Sequence, residues 1–357
     1  DYAVSMGNYL AHRGARTDFM KMMEGIDPKL ESGLYGYASR YINYLQTVTP
    51  EGSSLRNFLF HYYLGGNIKS ATINLTQTLT TSYPVAARYT KIPEYYVMKG
   101  IKEAFNYLRS GGKIADKQRA AAIKLAMDRG ILSEKMMREM SGRAYGGKPG
   151  AKAIENITDV TSYVFDRAER ANRYVAFNIG YDLAKKQGYE FYKAIKFAED
   201  FVDQTQFRYG KTNRPEIARG VTAPLFTFRL FMGNYLKLLK DAVVDKQFGQ
   251  VARMLGTMAA LGGAYGIPGA KEIDQALTIA GVDTKSVVRK YFNNSDIADV
   301  FMHGLPVLSG VNISGAIGIG ELLPDVERGP AVALARGVGG VMTDIPMRVN
   351  RSIAMMK

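Results

Sequence analysis

The stretch DQTQFRYGKTNRPEIARGVTAPLFTFRLFMGNYLKLLKDAVVDKQ, residues 203–247, decides how this chain folds. A helix is predicted to end near Gln206. A basic connector broken by Pro215 follows, carrying Arg208, Lys211, Arg214 and Arg219. A new helix is predicted to open at Thr222-Ala223-Pro224. Threonine's oxygen can cap the first free N–H groups, and proline's missing N–H is not needed in the first turn. At about 100° per residue, Leu225, Phe228, Met232, Tyr235, Leu236, Leu239, Ala242 and Val243 share one stripe. Phe231 and Leu238 widen it on one side, Phe226 and Leu230 on the other. Water is left a strip holding Arg229, Gly233, Asn234, Lys237, Lys240 and Asp241. A helix this apolar is buried among several neighbours or faces another subunit. Phe226, Phe228, Phe231, Leu236 and Leu239 are therefore the expected packing or assembly residues, and the stretch is the expected central joint of the fold.

The rest of the chain repeats the helical pattern. Residues 1–25 read as a helix, and Asp27-Pro28 and Thr49-Pro50 each start another with a capping oxygen followed by proline. The segment NIKSATINLTQTLTTSYPVAARY, residues 67–89, mixes β-branched residues, which favour a strand, with helical spacing of Ile68, Ala71, Leu75 and Leu79. Helix is the preferred reading, since no partner strand occurs elsewhere. Pro93 opens a helix closed by Gly111-Gly112, and Asp116 opens one closed by Gly130. After the loop SGRAYGGKPG comes the longest periodic run, residues 151–186, with Ile154, Ile157, Val160, Val164, Ala168, Ala171, Val175, Ile179 and Leu183 in register. Asp166/Arg170 and Glu169/Arg173 are spaced i,i+4 with the acid first, and are expected on a solvated face. The helix begun at Thr222 is expected to run on through Val251, Met254, Leu255 and Met258. Short helices are expected at 274–280, 284–291 and 331–341. These readings give an all-α, irregular multi-helix assembly without a regular sheet. Its expected divisions are an N-terminal helical region (1–141), a flexible loop (142–150), a long-helix core (151–250) and a glycine-rich region of short helices (251–357).

Composition narrows the function. Hydrophobic residues make up 46% and charged residues 22%, which marks a globular chain rather than a disordered one. Formal net charge is +14, favouring nucleic acid, an anionic membrane surface or an acidic protein as partner, against the plainer reading of a basic protein with none. Arg208, Lys211, Arg214, Arg219, Arg229, Lys237 and Lys240 are the candidate contacts to nucleic acid or an acidic partner. Cysteine is absent, and His12, His61 and His303 are far apart, so no disulfide, thiolate or metal site is expected. The opening Asp1 leads us to expect a piece of a longer polypeptide, and no signal peptide is visible. Two uncharged windows, 254–270 and 300–320 (apart from His303), carry too many glycines for stable membrane-spanning helices. Within the first, Gly262-x-x-x-Gly266 fits close packing against a helix or membrane, but a tight turn fits as well. No nucleophile elbow, zinc-protease helix, dinucleotide fingerprint or phosphate loop occurs. Glu321 and Asp203 are read as a helix-end residue and a member of a structural polar cluster, so neither an enzyme nor a cofactor is expected.

Several segments, in order, resemble very large internal virion proteins of short-tailed phages and the related large polyvalent proteins. They are residues 67–89, DQTQFRYGKTNRP (203–215), APLFTFRLFMGNYLKLL (223–239), LGGAYGIPGAKEIDQ (261–275) and HGLPVLSGVNISGAIGIGELLPD (303–325). The resemblance implies a structural segment of an ejection protein, packed in the capsid or tail, that leaves with the genome. It implies an oligomeric conduit for double-stranded DNA across the host envelope. Its expected partners are further copies, other ejection, portal or tail proteins, and the host membrane. Its expected location after ejection is the periplasm and inner membrane. Part of a larger virion enzyme, such as an RNA polymerase or peptidoglycan hydrolase, and a capsid-internal DNA-binding protein are the alternatives.

Overall fold

Proline and glycine punctuate the sequence, and several helices start or stop beside them. A computed structural model describes residues 21, 23–46, 74–132, 151–207, 214, 216–220, 223, 230–267, 269–310, 312 and 314. Among these residues every regular element is helical and no strand occurs. Helix α1 is Ser32–Gln46. A π-helical segment, Thr78–Ser82, runs into α2, Tyr83–Ala86. Then come α3 (Pro93–Arg109), α4 (Lys117–Asp128), α5 (Ala151–Lys186) and α6 (Phe191–Thr205). Helices α7 (Leu230–Val244) and α8 (Phe248–Gly262) follow. The last three are α9 (Ala270–Ile279), α10 (Thr284–Phe292) and α11 (Ser295–His303).

The start and stop signals act as the sequence predicts. Pro93 sits in the first turn of α3, and Asp116 Oδ1 caps α4 by accepting from the N–H groups of Gln118 (2.9 Å) and Arg119 (3.2 Å). Gly188 closes α5 at φ +76°, with its own N–H bonded to the Lys185 carbonyl and that of Tyr189 to the Ala184 carbonyl. This is the left-handed closure that glycine makes without steric penalty. The expected continuation of α7 into residues 251–258 is not found. Lys246 adopts φ +55° and Gln247 N–H returns to the Ala242 carbonyl, so the chain turns and α8 begins afresh. Residues 1–20, 47–73, 133–150 and 315–357 lie outside the described residues, and with them the expected helices at the N-terminus, after Thr49-Pro50 and at 331–341.

The chain forms two units, residues 1–50 with 211–213, and residues 51–210 with 214–357. In the smaller, α1 stacks Tyr37 on Tyr41, one helical turn apart. In the larger, the organising element is α5 rather than the stretch at 203–247. From Asn172 to Ala184 every residue of α5 is buried, so this helix is enclosed on all sides. Helices α3 and α6 lie along it, and both approach through glycine. A Cβ on Gly100 of α3 would stand 2.9 Å from Ile179 Cγ1, and one on Gly180 of α5 would stand 2.9 Å from Ala198 Cα of α6. Fully burying a side chain such as Ile179 or Leu183 stabilises by roughly 2–3 kcal/mol. One apolar core runs from Val85 through α3, α4, α5, α6 and α7 to Met258 in α8. The expected boundary at 142–150 therefore does not separate two cores, because elements on both of its sides pack into this one.

Candidate functional site

Among the described residues, the largest concentration of buried polar chemistry lies where the π-helical segment meets α5 and the end of α6. Local sequence explains the segment. Pro84 has no N–H to give a carbonyl one turn back, and its ring crowds that position. The Thr81 hydroxyl donates to the Gln77 carbonyl at 2.6 Å, and such back-bonding loosens the ladder. The helix widens accordingly, and Tyr83 N–H reaches the Thr78 carbonyl. The helical reading of residues 67–89 thus holds over its described part, with this local widening.

Widening turns a row of polar side chains inward. Gln77, Thr78, Thr80, Thr81 and Ser82 are all buried. The one Thr81 hydroxyl proton lies between the Gln77 carbonyl and the Thr205 carbonyl, 2.7 Å away where α6 ends, and Gln77 Nε2 donates to the same Thr205 oxygen at 3.2 Å. Gln206 Nε2 donates to Ser82 Oγ at 3.1 Å. On the α5 side, Thr78 Oγ1 donates to Asn172 Oδ1 at 2.9 Å, and Asn172 Nδ2 donates to the Asn74 carbonyl at 2.6 Å. Glu169 accepts from Asn74 Nδ2 at 3.2 Å and pairs with Arg173 Nε at 2.8 Å. Glu169 and Arg173 are only 4% and 7% exposed, so the solvated face expected for this pair is corrected to a buried one. The i,i+4 spacing is as read; its partners across the core are what draw it inward.

A second buried charge group lies on another side of α5. Arg119 of α4 donates to Asn178 Oδ1 at 2.7 Å and pairs with Asp182 Oδ1 at 2.6 Å, while Lys99 Nζ stands 3.1 Å from Asp182 Oδ2. A third cluster joins α2 to α8, with Arg88 bonded to Gln250 and standing 3.5 Å from Asp245. None of these groups sets a nucleophile beside a free base. His303 comes nearest, at 3.1 Å from Ser314 Oγ, but that hydroxyl donates to Asn312 Oδ1 at 2.7 Å, which leaves His303 Nδ1 as the donor. Burial lowers the His303 pKa from its ordinary value, and burial raises those of the Tyr174 and Tyr235 hydroxyls. Among the described residues no group of three or more metal-ligating side chains occurs.

The expected site residues are dispersed. Arg208, Lys211, Arg229, Phe226 and Phe228 lie outside the described residues, as does Glu321. Arg214 is only 5% exposed, so as a surface contact it is corrected to a buried side chain, and its carbonyl accepts from Arg219 Nε at 2.9 Å. Lys237 and Lys240 are exposed on the water strip of α7, with Lys237 3.5 Å from Asp241. Phe231, Leu236 and Leu239 pack half-buried against the chain's own core, beside the buried Tyr235, whose hydroxyl donates to the Met254 carbonyl at 2.9 Å. The apolar face of α7 is thus largely filled from within. Gly262 ends α8 and Gly266 lies in the tight turn Ala264–Gly266, so the pair forms a turn rather than one helix face. Gly263 matters more, since a Cβ there would stand 2.4 Å from the His303 nitrogen.

Comparison of the chain with protein-family models, with characterised proteins and with solved structures finds no match. What the arrangement itself can do is hold helices in register. Buried polar networks tolerate little displacement, because each lost bond leaves a desolvated group behind. Sequence reading missed the seam, although polar residues at the core-facing positions Glu169, Asn172 and Arg173 of a long periodic helix were its visible sign.

Proposed function

We propose that this chain is a structural, non-enzymatic module of a phage ejection protein, which leaves the virion with the genome and joins further copies in a DNA conduit across the host envelope. The observation that carries the reading is where the virion-protein-like segments meet. Residues 67–89 and 203–215 are joined by the Thr81, Gln77 and Gln206 hydrogen bonds of the polar seam. Residues 261–275 and 303–325 are joined by the close approach of Gly263 to His303 and Gly304. Four of the five segments that carry the resemblance therefore meet at joints between helices, which suits a part whose task is shape. The all-helical core agrees with this, and the net charge of +14 suits a lumen or surface facing DNA. Among the described residues no helix is long and apolar enough to cross a membrane.

Quantitative mass spectrometry of virions before and after triggered genome release tests the reading. The protein is expected in intact particles and lost from emptied ones, with particles of several copies visible in the released fraction. Its retention in emptied capsids would overturn the proposal.

A further inference from the structure

Helix α3 carries a second apolar face beside its buried one. Tyr96, Val97, Gly100 and Ala104 face inward and are buried. At three- and four-residue spacing on the second face run Tyr95, Met98, Ile101, Phe105 and Leu108, all exposed. Met98 and Phe105, at its centre, are 65% and 62% exposed, so the row stands out as a ridge rather than lining a groove. At roughly 200 Å² for a large side chain, its uncovered part comes to several hundred Å², a size that marks interaction sites on monomers. Along one edge of the ridge run Lys102 and Arg109, and Lys91 lies just before the helix; all three are exposed and none is in an ion pair with a described residue. The acid on this face, Glu94, accepts from the Tyr83 hydroxyl at 2.8 Å.

We propose that the outer face of α3 docks on an anionic lipid bilayer, lying flat with its apolar ridge at the acyl boundary and Lys91, Lys102 and Arg109 among the phosphates. A ridge seats in a deformable surface without needing a matching groove. Lysine and arginine reach from such a ridge to the headgroups while their stems stay in apolar surroundings. Charge selects the partner: a chain of net +14 is drawn to anionic lipid and repelled by a second copy of itself. The inference rests on α3 alone and holds whether or not the chain travels with a genome.

Flotation of the full chain with vesicles of phosphatidylglycerol and phosphatidylcholine, against phosphatidylcholine alone, tests it. Binding is expected to the anionic vesicles and to weaken between about 0.1 and 0.5 M salt. Each lysine or arginine near such a surface strengthens binding roughly fivefold, so Lys102→Gln/Arg109→Gln is expected to weaken it by about tenfold or more. Met98→Asp/Phe105→Asp is expected to abolish it while the helical circular dichroism is unchanged. Because the chain has no cysteine, Ile101→Cys provides a unique site for an environment-sensitive fluorophore, whose emission is expected to shift blue on anionic vesicles. Failure of the wild-type chain to float, equal flotation with neutral vesicles, or an unshifted fluorophore would overturn the proposal. So would a chain that ignores vesicles but dimerises through this face and is made monomeric by Met98→Asp.

Discussion

At the scale of single residues, the sharpest constraints are close approaches and buried charges. Gly180 lets α6 reach the backbone of α5, with both Ala198 Cα and Phe201 Cβ at 2.9 Å from an added methyl group. Neither neighbour is the free end of a flexible chain, so the helices themselves must move. Gly180→Ala is expected to destabilise by about 2 kcal/mol in urea unfolding, although alanine is the better helix former. Asp182 makes the complementary case. Removing it leaves Arg119 buried without its carboxylate, and Asp182→Ala is expected to cost about 3–5 kcal/mol. Replacing the whole pair, as Arg119→Met/Asp182→Leu, is expected to recover part of that loss, because two matched apolar side chains need no desolvation of charge while Asn178 Oδ1 loses its donor. Chemical denaturation of the wild type, Arg119→Met, Asp182→Leu and the double variant gives the coupling directly.

At the scale of elements, the π-helical segment Thr78–Ser82 determines which side chains face the seam. Its wider turn holds a residue more than an α-turn would. Deleting exposed Leu79 is therefore expected to let the segment close to α-helical spacing, which draws Thr78, Thr81 and Ser82 out of their places against Asn172 and Thr205. The expected loss is more than about 3 kcal/mol, the range of a broken buried network, although the deleted side chain itself is exposed. The joint between α8 and α11 supplies a pH-dependent counterpart. Burial sets the folded pKa of His303 below its ordinary 6.5; the charge of Asp299 opposes this shift, and those of Lys285 and Arg289 reinforce it. The unfolded chain then binds the proton more readily, so this contribution to stability is complete above about pH 6.5 and is lost as pH falls toward the folded value. Amides of α11 are expected to exchange faster at about pH 5.5 than at pH 7, after correction for intrinsic rates, and His303→Asn is expected to remove the difference. Element boundaries such as Pro93, Asp116, Gly130 and Gly188 were readable because caps and left-handed turns depend on one or two neighbouring residues. The burial of Glu169 and Arg173 and the turn at Lys246 were not, because the first is decided by partners far along the chain and the second by a residue other than glycine accepting a strained φ.

At the scale of the molecule, helical class follows from local pattern, whereas the identity of the central helix does not. The stretch at 203–247 has the most continuous apolar face, yet α5 occupies the centre, with polar residues on two of its sides. A helix enclosed by others need not be apolar all round when its polar groups find one another, as Asn172 does with Thr78 and Asp182 with Arg119. The same reasoning bears on the loop at 142–150, which looked like a boundary because its composition is glycine-rich. Composition reports how freely a segment can turn, not what its two sides bury. Here α3 and α4, before the loop, share a core with α5 and α6, after it, and Arg129 before it pairs with Glu199 beyond it at 3.0 Å. Inserting a protease site within 142–150 and cutting it is therefore expected to leave both fragments together on a sizing column. Their unfolding is expected to remain one transition, with its midpoint lowered by the lost chain connection. Separation of the fragments without denaturant would mean that the two sides are independently folded, and the single core that runs from Val85 to Met258 would have to be abandoned.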